Sequence, residues 1–176
     1  WLLRQPFFLY LQIRIEVEKL NKRIKKRIKT AGAVLFVIYI LALIYFLFFA
    51  ERFGQLDFAE REYHYNLVLF QEIKRFWTYR KQLGALAVAA NLLGNVVGFI
   101  PFGLILPVVS RDARGFFFIT FSGFTLSLCV ETVQLVTKLG CFDVDDLVMN
   151  TLGAALGYLL FAVSHLIYRN WKRRAK

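Results

Sequence analysis

The chain has 176 residues, 58% of them hydrophobic, with a net charge of +11 and a mean hydropathy of +0.51. A soluble domain carries about 45–50% apolar residues in short runs, whereas the uncharged runs here reach membrane-crossing length, which excludes an ordinary soluble enzyme. The positive charge flanks those runs and forms no known nucleic-acid motif, so no nucleic-acid partner is expected, and Cys129 and Cys141 offer neither a zinc spacing nor a bond without a chain reversal between them.

Residues 1–30 form a basic amphipathic juxtamembrane segment. Leu9, Ile13, Val17, Leu20, Ile24 and Ile28 recur at steps of three and four, which is one face of a helix, and Arg14, Lys22, Arg23, Lys25, Lys26 and Lys29 surround that face. Such a helix is expected to lie on anionic inner-leaflet lipids with its apolar side in the interface. A partner-binding helix is the other reading. No segment reads as a cleaved signal peptide, because the first apolar run is long and no small-residue cleavage pattern follows it. That run, Ala31 to Ala50, is twenty residues without a charge, enough for one crossing of a roughly 30 Å hydrocarbon core.

The loop from Glu51 to Lys81 has no Pro and a single Gly, which argues against a low-complexity linker. Its second half, Asn66 to Tyr79, mixes aromatics with charges. That suits a helix or re-entrant segment at the outer interface, where Trp and Tyr prefer to sit.

Three further uncharged stretches follow, and the predicted spans lie at about 31–50, 85–109, 115–137 and 148–168. The expected fold is an all-α membrane protein. Residues 31–168 form a four-transmembrane-helix bundle, preceded by the N-terminal amphipathic interfacial helix and followed by a basic tail at 169–176. Nine Lys/Arg and two Glu precede the first span, and the tail holds Arg169, Lys172, Arg173, Arg174 and Lys176 with no acid. The 51–84 loop is nearly balanced at six basic and five acidic residues, and the 138–147 loop sets Lys138 against Asp143, Asp145 and Asp146. The positive-inside rule then makes both termini cytoplasmic and both larger loops external, giving a multi-pass membrane protein.

At 100° per residue, Asn91, Gly94, Asn95 and Gly98 share a face of the second span, and Pro101 is expected to kink it. Thr120, Ser127, Glu131 and Gln134 align on the third span. Asp146, Asn150, Gly153 and Gly157 align on the fourth. Gly94/Gly98 and Gly153/Gly157 are GxxxG pairs, which permit close helix packing, within one chain or between copies of it. The three stripes should face one another. Asn91, Asn95, Glu131, Gln134 and Asn150 then line a polar pocket in the outer half of the bilayer. Asp143, Asp145 and Asp146, with Asn66 from the loop, form its mouth. Polar and ionisable groups at membrane depth are costly and tend to mark a site.

The chemistry stays open at this point. Glu131 and Asp146 are the catalytic candidates, as a general acid and base pair. The carboxylates also suit a hard divalent cation, although no metal site or cofactor is assigned. Structurally, Asp145 or Asp146 would cap the fourth helix, and Glu131 would hydrogen-bond to an Asn and lock the bundle. Neither His64 nor His165 is expected near the cluster, and no GxSxG elbow is present. With no inverted repeat, transport is disfavoured.

The run Asn91-Leu-Leu-Gly-Asn-Val-Val-Gly-Phe-Ile-Pro-Phe-Gly103 with Pro107, the run Ser127-Leu-Cys-Val-Glu131-Thr-Val-Gln134, and the run Phe142-Asp-Val-Asp-Asp-Leu-Val-Met-Asn150-Thr-Leu-Gly153 with Gly157 together resemble the VanZ-like family. The fragment Tyr65-Asn66-Leu-Val-Leu-Phe70 is similar to that family's outer-loop element, with Leu69 where Pro is usual and Arg61 nearest to its preceding Arg. The resemblance covers roughly 61–160 and leaves out the basic N-terminus. It implies a small polytopic membrane protein of Gram-positive bacteria. Some members of the family lower susceptibility to teicoplanin and related lipoglycopeptides, with little effect on vancomycin. The implied ligand is a lipoglycopeptide or a lipid-linked envelope component met at the outer leaflet. A membrane hydrolase or transferase acting on a lipid head group, and an accessory or scaffold subunit, are the alternatives.

Overall fold

The computed structural model describes residues 5–49, 63–110 and 115–174, with side chains described at 13–46, 63–82, 84, 93–110 and 115–174. In chain order the elements are α1 (Gln5–Phe49), β1 (His64–Asn66), α2 (Gln71–Leu83), α3 (Ala85–Val109), α4 (Phe116–Thr137), β2 (Cys141–Asp143) and α5 (Val144–Arg174). Among the described residues, three helices are long and apolar enough to cross a membrane: α1 over Ile13–Phe46, α4, and α5. The apolar part of α3 with described side chains is shorter, Leu93–Val109.

The separate interfacial helix expected at the N-terminus is not what forms. The basic stretch and the first apolar stretch are one uninterrupted helix of 45 residues, ~67 Å long at 1.5 Å per residue. The sequence explains why. Between Phe7 and Ala31 there is neither Pro nor Gly, and Lys, Arg, Glu, Leu and Ile all sustain a helix. Exposed pairs one turn apart, Lys19–Glu16 at 3.0 Å and Lys22–Glu18 at 3.1 Å, add the small support such pairs give. The loop segment after Asn66 is helical from Gln71, with Trp77 and Tyr79 exposed.

The helices alternate in direction. On α1, Gly32 faces Val108 and Val109 of α3, and Phe36 meets Phe102 at 5.8 Å between ring centroids. The Tyr39 hydroxyl donates to the Gly98 carbonyl at 2.8 Å, so α1 and α3 are antiparallel. That bond lies beside Val97, whose carbonyl Pro101 cannot partner; α3 nonetheless runs as one helix through Pro101 and Pro107. Helix α5 packs most extensively on α3 and runs parallel to it, Gly153 against Val96 and Gly157 against Ile100. Helix α4 is antiparallel to α5, with Gly123 against Ala154 and the Phe116 ring 5.9 Å from that of Tyr158. The core between them holds Phe99, Phe102, Ile119, Val130, Leu147 and Ala154.

Only one of the two expected GxxxG faces lies at this interface. A methyl group added at Gly153 or Gly157 would overlap the carbonyl oxygen of Val96 or Ile100. Gly94 instead meets nothing among the described residues, and Gly98 faces Leu43 of α1. The glycine of α3 that admits α5 is Gly103, set against the Ala154 carbonyl. A 100° wheel groups residues by face but does not say which face a neighbour takes.

Candidate functional site

Helix α4 ends at Thr137 and the chain reverses at once. Lys138 adopts a left-handed conformation (φ 55), Leu139 N–H reaches the Gln134 carbonyl at 3.0 Å, and Lys138 N–H reaches that of Leu135 at 3.1 Å. This is the Schellman pattern of helix termination. It sends Gly140 back over the Gln134 side chain and lays β2 beside the end of α4. Asp143 thereby donates its backbone N–H to the Glu131 carboxylate at 3.0 Å. Glu131 is 2% exposed, so its carboxylate is held within the bundle by a backbone donor.

Strand β1 pairs in parallel with β2, with His64 opposite Cys141, Tyr65 opposite Phe142 and Asn66 opposite Asp143. Asn66 donates from Nδ2 to both carboxylate oxygens of Asp143 at 3.2 Å, while its Oδ1 accepts Val68 N–H at 3.0 Å. His64, expected far from the cluster, is brought to it by this strand pair; a three-residue strand with no alternating pattern leaves no periodic signal. His165 lies at the other end, stacked on Phe161.

The aspartates cap helices, though not as the sequence suggested. Asp143 is the residue before α5, and its Oδ1 accepts Asp145 N–H at 2.7 Å, so Asp143 is the N-cap of α5. Asp145, 3% exposed, reaches across to the start of α2. It accepts the N–H of Phe70 and, at 2.9 Å, that of Glu72. Phe70 has φ 64, uncommon for an aromatic residue, and no side-chain cap of its own. Asp146 accepts from the Asn95 amide on α3. One turn deeper, Asn150 donates to Ser127 Oγ at 2.9 Å, and its buried Oδ1 has no partner among the described residues.

Asn95, Glu131, Gln134 and Asn150 therefore gather at one end of the bundle with Asp143, Asp145, Asp146 and Asn66. Asn91 belongs to α3, and its side chain lies outside the described residues, as does Arg61. The sequence reading missed Glu72. It stands in the first turn of α2, 2.6 Å from Arg75, and the carboxylates of Asp143 and Asp145 act on it. Desolvation, only partly offset by Arg75, raises its carboxyl above the ordinary range. The available signal was the Asn66–Phe70 fragment running directly into Gln71-Glu72. The Cys141 thiol is raised too, first by burial, then by Asp143, Glu131, Glu72 and Asp146. Among the described residues, no three His, Cys, Asp or Glu side chains are arranged to hold a metal ion.

The opposite end is basic. It carries Lys22 to Lys29 of α1 and Arg169 to Arg174 of α5, against the acidic end with Glu72, Glu131, Asp143, Asp145 and Asp146.

The VanZ/LLP1 family model matches residues 36–167. The chain is similar to Protein VanZ of Enterococcus faecium, with 29% identity over 132 residues, covering 74% of this chain and 73% of that protein. No solved structure matches. The matched segment holds the whole acidic end and begins partway along α1, past its basic half.

Proposed function

The chain belongs to the VanZ/LLP1 family, and from that premise we propose that it lowers susceptibility to teicoplanin-type lipoglycopeptides by acting at the outer leaflet, on the drug or on a lipid-linked envelope component. The observation that carries this reading is the convergence of buried polar side chains from α4 and the start of α5 with the half-buried Asn95 of α3, under a lid made of β1 and α2, at the end opposite the basic one. Four crossings with both termini cytoplasmic are part of the proposal. Helix α3 runs beside α5 and antiparallel to α1 and α4, which supports its crossing at the same depth. The polarity of charge supports the orientation, because positive residues are retained inside. The acidic end then faces outward, where the acyl chain of a lipoglycopeptide enters the bilayer. In this reading Glu131 holds the Asp143 backbone and so fixes the pocket mouth, while Asn95 and Asp146 form its α3–α5 wall.

A membrane enzyme is the second reading. Glu131 of α4 and Asp146 of α5 are carboxylates on two packed helices at the same end of the bundle, the residue types a general acid and base pair uses.

The test is drug susceptibility of a sensitive Gram-positive host expressing wild type, Glu131→Gln or an empty vector at matched membrane levels. Protection by the wild type against teicoplanin but not vancomycin, lost in the variant, is expected. Full protection by the folded variant removes Glu131 from the site, and no protection by the wild type overturns the resistance reading. Loss of function with unchanged thermal stability in both Glu131→Gln and Asp146→Asn would favour the enzyme. Unfolding in both would favour an accessory or scaffold role.

A further inference from the structure

The basic end holds a feature that the family match does not include. We infer that Lys22–Lys29 of α1 and Arg169–Arg174 of α5 together form a binding surface for the phosphate head groups of anionic phospholipids.

Within Lys22–Lys29, Lys22, Arg23, Lys25, Lys26, Arg27 and Lys29 are basic and none is acidic. Lys22 pairs with Glu18, while the other five have no ion pair among the described residues. At 100° per residue the cations cover a little over half of the helix circumference, and Leu20, Ile24 and Ile28 fill the remainder. All of these side chains are exposed. The uncharged span begins at Ala31, immediately after the cluster. Because α1 is continuous here, Lys22–Lys29 occupies about 10–12 Å along its axis, close to the depth of one head-group layer beside the hydrocarbon.

Helix α5 supplies the second half. It runs parallel to α3, passes Leu104 at Gly157 and continues to Arg174, whereas α3 stops at Val109 beside Gly32 of α1. Arg169, Lys172, Arg173 and Arg174 therefore project from the same end of the bundle as the α1 cations, and they too are exposed. Two like-charged clusters cannot neutralise each other. An anionic surface complements both, and their position at the boundary of apolar helices favours one that is itself part of a bilayer.

The test uses the full chain in nanodiscs of phosphatidylcholine mixed with phosphatidylglycerol, with retained lipids counted by native mass spectrometry. Wild type should retain phosphatidylglycerol preferentially. Replacing Lys25, Lys26, Arg27 and Lys29 with Gln should weaken that preference by up to about fivefold per cation, and a set keeping the charge (Lys25→Arg, Lys26→Arg, Lys29→Arg) should preserve it. High salt should weaken retention in the wild type itself, an arm that does not depend on any variant folding. Equal retention of the two lipids, or retention unchanged in the folded Gln set, overturns the inference. Displacement of the lipid by excess inorganic phosphate would reassign the surface to the free ion, and capture of single-stranded RNA with indifference to lipid would reassign it to nucleic acid.

Discussion

Asp145, in the first turn of α5, accepts the backbone N–H of Glu72 at 2.9 Å, so a carboxylate 73 positions away caps the start of α2. The same carboxylate takes the N–H of Phe70. Together with the pairing of Asn66 and Asp143, this bond fastens the loop helix over the polar end of the bundle. Loss of an N-cap acceptor costs about 0.5–2 kcal/mol. Asp145→Ala is expected to lower the thermal midpoint of the purified protein by that order. Amide exchange in Gln71–Leu83 should rise far more than in α4. Asp145→Asn, which keeps one oxygen acceptor, should fall between. Equal exchange in all three proteins would show that the cap does not hold the lid.

The glycines give a paired prediction. Gly153→Ala drives a methyl group into the Val96 carbonyl of the adjacent backbone, which cannot move without separating α3 from α5. Overpacking of this kind costs about 1–3 kcal/mol. Gly94→Ala meets open space among the described residues, and replacing a helical glycine gains roughly 0.5–1 kcal/mol. Thermal melts in detergent should therefore move in opposite directions for two substitutions of identical chemistry. Parallel shifts would show that the α3–α5 contact is not where the glycines place it.

Much of this was legible in the sequence, and the limits are physical. Long uncharged runs favour apolar helices, so the helical bounds of α3 and α4 fall within a residue of 85–109 and 115–137. The polar stripes were legible because a helix face follows from a 100° step. What a single face cannot give is the partner across from it. Thus Asp145 read as a cap for its own helix, whereas Asp143 takes that role and Asp145 serves α2. The β1–β2 pair was illegible, since three-residue strands carry no period, and with it went the approach of His64 and Glu72. The long α1 changes composition near Ala31, from basic to apolar, yet nothing in its backbone chemistry breaks it there.

The carboxyl of Glu72 gives a pH dependence with a definite sign. Burial raises it above its usual value of 4.5, with Asp143 and Asp145 adding to the shift and Arg75 opposing it. The folded state therefore holds this proton more tightly than the unfolded state. The resulting stabilisation is present below about 4.5 and is lost as pH rises through the folded-state value. Glu72→Gln has no such titration. The thermal midpoint of wild type relative to Glu72→Gln should accordingly fall as pH is raised from acid to neutral. A difference independent of pH would mean that Glu72 is solvated as in the unfolded chain.

Cys141 reports on the acidic end from within. Its thiol is raised by burial and by the negative charge of Asp143, Glu131, Glu72 and Asp146, and the thiolate is the reacting form. With Cys129 replaced by Ala, alkylation of Cys141 near neutral pH should be slow. Asp146→Asn should accelerate it by removing one repelling charge while leaving an amide in place. Labelling intact cells with a membrane-impermeant maleimide extends the measurement to orientation. In the proposed topology Cys141 reacts from outside, whereas a Cys introduced at exposed Arg173 reacts only after the membrane is opened. The reverse pattern would turn the bundle over, placing the acidic end inside and removing the outer-leaflet reading with it.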